Sequence, residues 1–173
     1  YDFDPDKARS LLTEMAWDGT ESIELTWAKG SQTVELAAPV FQQQMADLGI
    51  TINLAPLESA AYVDKVVTNP DFDMAWFGGG SYRLDPDVSS NYYMTVNWTP
   101  NGGNTTHYSN EELDQLFIDG RGTTDIAQRT EIYHQVAKIL NEDVPTLFWW
   151  SDNQIFGVNA KLQGLKPGPN QYI

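Results

Sequence analysis

The 173 residues predict an α/β fold with a mostly parallel sheet flanked by helices in three layers. Three observations carry that prediction. Short alternating segments (Ile23, Leu25, Trp27; Ile50, Ile52, Leu54; Phe72, Met74, Trp76) are separated by stretches with helical apolar spacing. The order strand, helix, strand, helix, strand is that of right-handed crossovers building a parallel sheet. Hydrophobic residues make up 41% of the chain, with six Trp, eight Tyr and seven Phe, enough for one domain with a real core.

The chain opens on Asp4-Pro5-Asp6, a helix start with Asp4 as N-cap and Pro5 at the first helical position, followed by the apolar positions Ala8, Leu11, Leu12 and Met15. The alternation Asp2, Asp4, Asp6 does not make a calcium loop, because Lys7 and Thr13 stand where glycine and glutamate would be required. After the first strand, Val34, Ala37, Ala38, Phe41, Met45 and Leu48 mark a helix that Gly49 closes, with Pro39 expected to kink or delay it. Tyr62, Val63, Val66 and Val67 mark the next helix, after Ser59. Beyond the third strand, Asp85 would cap a short helix begun by Pro86. Ser109 to Glu112 fits a capping box leading into Leu113, Leu116 and Phe117. Asp125 and Gln128 form a second capping pair before a longer helix with Ile132, Tyr133, Val136, Ala137 and Leu140 on its apolar face. Thr146 to Trp150 reads as a dense apolar strand, and Ile155 to Val158 as another.

Composition narrows function by exclusion. Asp and Glu number 24 against 10 Lys and Arg, a formal charge of -14 without a basic cluster, so nucleic acid is not an expected partner. There is no cysteine and there are only two histidines, His107 and His134, each read as solvent-facing; neither a metal site nor a cofactor is expected.

The most distinctive stretch is Gly78-Gly79-Gly80-Ser81-Tyr82-Arg83, followed by Asp85-Pro86-Asp87. It lacks the lysine of a phosphate loop, the third glycine of a dinucleotide fingerprint and the second glycine of a nucleophile elbow. Three glycines at the carboxyl end of a parallel strand do permit close backbone approach, and that end of an open α/β sheet is where ligands bind. Asp85 and Asp87 also admit a second reading, as the carboxylate pair of a carbohydrate hydrolase. Helix capping accounts for both without it. Of the tryptophans, Trp76, Trp149 and Trp150 fit core packing, whereas Trp98 lies in a polar loop and is a cleft candidate. Asn97-Trp-Thr99 and Asn104-Thr-Thr106 match the glycosylation pattern, which matters only in a eukaryotic secretory pathway.

Taken in order, Tyr1-Asp-Phe-Asp-Pro-Asp-Lys-Ala-Arg-Ser-Leu-Leu12, Gln44 to Ile50, Phe72 to Ala75, Asp85-Pro-Asp87, His107 to Asp114, Arg129 to Tyr133 and Asn141 to Pro145 resemble the extracytoplasmic solute-binding proteins of ABC importers, family 5. The resemblance implies a lobe of the type II periplasmic-binding-protein kind, residues 1–173 being a single lobe, the second of two, with both chain ends near a hinge and the first lobe missing. It implies no catalysis. Its expected partners are a small solute in the interlobe cleft and the membrane permease, and the full-length protein is expected to be monomeric, extracytoplasmic and lipid-anchored. Gly78, Gly79, Gly80, Ser81, Tyr82, Arg83, Asp85 and Trp98 would line the cleft. Peptide-binding members carry an aspartate for the ligand's amino group three positions before the Asp-Pro pair; here that position is Tyr82. The departure tilts the expected ligand from a peptide toward an oligosaccharide or other neutral solute.

Overall fold

The computed structural model describes residues 2–77, 85–149, 157–159 and 161–164. The chain forms two compact units, Tyr1–Gly78 and Gly79–Ile173.

The first unit is built on a three-stranded parallel sheet: β1 (Ser22–Ala28), β2 (Thr51–Leu57) and β3 (Met74–Ala75), in the order β2-β1-β3. It opens with α1 (Pro5–Glu14), where Asp4 accepts the Lys7 N–H at 2.9 Å as the sequence predicts. No residue of α1 is buried. The β1–β2 crossover is α2 (Gln32–Ala46), capped by Ser31. It runs through Pro39 rather than being delayed to it, because the cap lies upstream and Val34, Ala38 and Phe41 anchor the helix on Leu25, Trp27 and Ile52. Gly49 follows at φ 80° and its carbonyl accepts the Trp17 indole N–H at 3.2 Å.

Because β2 and β3 flank β1 on opposite sides, right-handed crossovers place their helices on opposite faces of the sheet. The second crossover is α3 (Ser59–Val63) continued by a π-helical turn, Asp64–Thr68; it packs on β1 and buries Tyr62 and Val66. This explains a departure from simple alternation in β1. Thr26 is 0% exposed like its apolar neighbours, and its hydroxyl donates to the Ala55 carbonyl at 2.9 Å. Pro56 is tolerated because β2 is an edge strand. β3 is shorter than the apolar pattern from Phe72 to Trp76, since at its start the Asp73 carboxylate, not backbone, accepts the Glu24 N–H at 2.8 Å.

The described residues of the second unit are mainly helical. A 3₁₀ turn (Pro86–Ser89) leads directly into α4 (Ser90–Tyr93), a second 3₁₀ turn spans Thr95–Asn97, and the hairpin α5 (Glu111–Gly122) and α6 (Ile126–Asp143) follows. Leu113 and Phe117 of α5 meet Tyr133, Val136 and Leu140 of α6, with Tyr93 and Met94 against them. The α6 cap is Asp125, as predicted; Ala137, assigned to its apolar face, is exposed. The α5 cap is Asn110 rather than Ser109: asparagine is as good a cap, and its side chain accepts the Leu113 N–H at 3.0 Å while the Ser109 hydroxyl bonds Thr95.

The predicted strand at 146–150 does not form across its described part. Residues 146–149 are irregular, and Leu147, Phe148 and Trp149 are 61%, 70% and 42% exposed, so Trp149 is not a core residue. A strand needs a ladder partner, and among the described residues of this unit there is none. Trp150 lies outside the described residues; of Ile155 to Val158 only 157 and 158 are described, both irregular.

Candidate functional site

The order β2-β1-β3 creates a topological switch point. The chain leaves β1 toward β2 on one side and enters β3 on the other, so the carboxyl ends of β1 and β3 lie side by side where the strand order reverses. Open α/β sheets leave a ligand crevice there. On the β1 side, the Lys29 N–H extends the ladder to the Leu57 carbonyl at 2.9 Å and its ammonium pairs with Glu58 at 2.8 Å. Gly30, at φ 103°, donates to the Glu35 carboxylate at 3.1 Å, and Ser31 starts α2. Turn and helix start are thus fixed by their own chain.

On the β3 side, the Trp76 N–H bonds the Thr26 carbonyl at 2.7 Å, and the Trp76 carbonyl accepts the Tyr62 hydroxyl at 2.9 Å. Burial pushes the Tyr62 phenol up to about 12, so it remains a donor throughout the physiological range. Phe77, the next residue, is 51% exposed. Local pattern alone did not mark residues 29–31 and 77, since the switch point exists only once the strand order is known. Gly78, Gly79, Gly80, Ser81, Tyr82 and Arg83 lie outside the described residues, as do the two chain ends.

In the second unit, Asp85 and Asp87 are brought together with three side chains of α5 and α6. Asp85 caps the 3₁₀ turn by accepting the Asp87 N–H at 2.8 Å, and the same oxygen accepts from Arg129 Nη2 at 2.8 Å. Arg121 Nε reaches both Asp87 oxygens at 2.9 and 3.0 Å, and its Nη2 donates to the Ser90 hydroxyl at 2.5 Å. The Tyr133 hydroxyl donates to Asp87 Oδ1 at 3.1 Å. Arg129 Nε also donates to the Gly120 carbonyl at 3.0 Å, and its guanidinium lies 4.8 Å from the Tyr133 ring centroid.

The Arg129 hydrogen bond, with the Asp87 N–H second, holds the Asp85 carboxyl below the usual aspartate range. A hydrolytic acid needs the opposite shift, and Asp87 is engaged by Arg121 and Tyr133, so the geometry does not favour the hydrolase reading. Above the turn lies an open hollow of about 640 Å³ lined by Asp85, Asp87, Ser90, Asn91, Tyr92 and Arg129, together with Val88. Local pattern does not assign Arg121, Arg129 or Tyr133 to a site, although Arg129 to Tyr133 is one of the stretches that carry the family resemblance and Tyr133 falls on the apolar face of its helix.

Trp98 is not part of that lining. It is 37% exposed, donates its indole N–H to the Tyr108 carbonyl at 2.8 Å, and stacks on His107 with centroids 5.0 Å apart. His107 and His134 are both exposed, as expected. The Tyr108 phenol bonds the Asp143 carboxylate at 2.5 Å, and burial first, then that carboxylate, push it up to about 12. Asn104 is fully buried, its amide donating to the Met94 and Tyr108 carbonyls at 3.1 and 2.9 Å, and the Asn97 amide donates to Ser90. Both glycosylation-pattern asparagines therefore spend their amide nitrogens on the fold.

The family model for bacterial extracellular solute-binding proteins, family 5 middle region, matches residues 1–101, more than half of the chain. Among curated relatives, a probable D,D-dipeptide-binding periplasmic protein of Escherichia coli is 27% identical over 98% of this chain and 32% of its own length. The oligopeptide-binding protein AppA of Bacillus subtilis is likewise 27% identical, over 99% of this chain and 33% of its own length. The crystal structure of that AppA in complex with a nonapeptide superposes with a TM-score of 0.72 at 26% identity, covering 83% of this chain and 31% of its own. The chain thus spans about a third of the length of the curated relatives it matches. Both relatives are named as binding proteins, the first of them as periplasmic, and the matching family is described as extracellular; among the described residues no helix is long and apolar enough to cross a membrane.

Proposed function

The chain belongs to the bacterial extracellular solute-binding proteins of family 5, and we propose on that premise that it is the second lobe of a two-lobed receptor delivering a peptide-type solute to an ABC importer. The solute sits in a cleft between this lobe and a first lobe encoded outside these 173 residues, and closure of the two presents it to the membrane permease. The receptor works outside the cytoplasm as a lipid-anchored monomer and performs no chemistry on its cargo.

One observation carries the reading: proteins named for dipeptide and oligopeptide binding align with almost the whole of this chain. The strand order supports it, because open α/β sheets bind ligands at the carboxyl edge where that order reverses, and the half-exposed Phe77 stands at that edge. A peptide is preferred to an oligosaccharide because no relative described above is named for a sugar; Tyr82 in place of the ammonium-binding aspartate then implies that the peptide is held mainly through backbone hydrogen bonds and side-chain packing.

A thermal-shift screen of the complete receptor against di- to oligopeptides, oligosaccharides and nickel tests this. A bound peptide at a hundred times its dissociation constant stabilises the folded state by about 2.7 kcal/mol. Stabilisation by peptides alone is the expected result; a response confined to sugars or nickel, or to none of them, refutes it.

A further inference from the structure

Four observations bear on what Asp85 and Asp87 do. First, both carboxylates are matched by guanidinium groups, Asp85 by Arg129 and Asp87 by Arg121, the latter through both oxygens. A ligand ammonium group would have to displace Arg121 to reach Asp87, and at Asp85 it would meet a carboxylate whose charge Arg129 already balances through Oδ1. Second, each arginine also bonds another element: Arg129 the Gly120 carbonyl at the end of α5, Arg121 the Ser90 hydroxyl at the start of α4. Third, Tyr133 closes the set by bonding Asp87 while lying under Arg129. Fourth, Ser90 is 5% exposed and begins the helix that carries Asn91 and Tyr92, the exposed polar and aromatic side chains of the hollow. Fixing the turn at Asp85, Asp87 and Ser90 therefore fixes the wall on which Asn91 and Tyr92 stand.

We propose that Arg121 and Arg129 are positioning residues for solute capture: they lock the Asp85–Ser90 turn so that Asn91 and Tyr92 meet the peptide, and Asp85 and Asp87 serve the arginines rather than the peptide's amino group. The inference rests on the peptide-binding reading above. It reassigns Asp85 from ligand contact to support and places recognition on a surface whose charges are paired.

The experiment is a double-mutant cycle in the full-length receptor, with peptide affinity measured by calorimetry for wild type, Asp85→Asn, Arg129→Gln, the double variant and Arg129→Lys. Each variant is titrated with a peptide bearing a free amino terminus and with its acetylated counterpart. Either single variant is expected to weaken binding about tenfold, and the double variant no further, because both remove one interaction. The losses should be equal for the two peptides, and Arg129→Lys should recover part of the affinity. Losses that multiply, an Asp85→Asn loss confined to the free-amine peptide, or unchanged affinity in Arg129→Gln overturns the inference while leaving the peptide-binding reading intact. A wild-type receptor that binds neither peptide overturns both. If Arg129→Gln fails to fold by far-ultraviolet dichroism, Arg129→Lys carries the test: it keeps the charge but not the Nε bond to Gly120, and wild-type affinity in a folded Arg129→Lys is then the refuting result.

Discussion

Alanine at Gly120 should destabilise the second unit although it improves the helix. Gly120 lies in α5 against Tyr133 of α6. A Cβ there would stand 2.9 Å from Tyr133 Cε2 and 3.0 Å from both Cζ and the hydroxyl oxygen. The ring has little room to retreat: it is 8% exposed, tilts against Phe117 with centroids 6.2 Å apart, lies under the Arg129 guanidinium and donates to Asp87. In an open helix the substitution would gain about 1 kcal/mol from propensity. Forcing a methyl group into a packed contact costs about 1–3 kcal/mol. Displacing a hydrogen bond to a charged acceptor costs about 1.5–3 kcal/mol more. The costs win, and Gly120→Ala should lose about 2 kcal/mol or more.

Equilibrium urea unfolding followed by tryptophan emission, with Trp98 reporting from within this unit, should show a lower midpoint at unchanged slope. Adding Tyr133→Phe removes one of the clashing atoms, so the double variant should lose less than the two singles combined. A Gly120→Ala variant as stable as wild type would show that Tyr133 is not held as described.

Phe117→Ala, which empties a fully buried position at the centre of the same core, should cost about 3–5 kcal/mol and abolish the cooperative urea transition of this unit. Asn104→Ala removes the amide that serves the Met94 and Tyr108 carbonyls and should cost about 2 kcal/mol in the same assay; mass spectrometry of protein secreted from a eukaryotic host should find no glycan on Asn104. Asp85→Asn should be less stable than wild type at neutral pH. Because the folded-state carboxyl is depressed, its contribution is present above the ordinary aspartate value near 3.9 and lost as pH falls through the lower folded value, so the two proteins should converge in acid. A difference that persists at low pH would mean that the Arg129 ion pair is not its source.

Which of these features the sequence displays follows from the range of the interaction that creates each. Asp4, Asp85 and Asp125 mark helix starts because a cap is a contact between residues two or three apart, and all three bonds form. Even there, Ser109 and Asn110 compete as neighbours, and the residue pattern does not choose between equal caps. Local density misleads at 146–149, where an apolar run resembles a strand but strand formation is decided by a partner elsewhere in the chain. The complete burial of Thr26 and the switch point beyond β1 depend on β3 crossing to the far side of β1, which no periodicity records. The glycine-rich stretch drew the eye to residues 78–83, whereas Arg121 and Arg129 reach their aspartates from 34 and 44 positions away. Asp85 joins both scales: one oxygen caps a turn locally and pairs with Arg129 at long range. Only the first role is visible in the sequence, and an aspartate whose second role is hidden is readily taken for a free carboxylate. Two such carboxylates made the hydrolase reading conceivable, and it is their long-range arginine partners that the geometry sets against it.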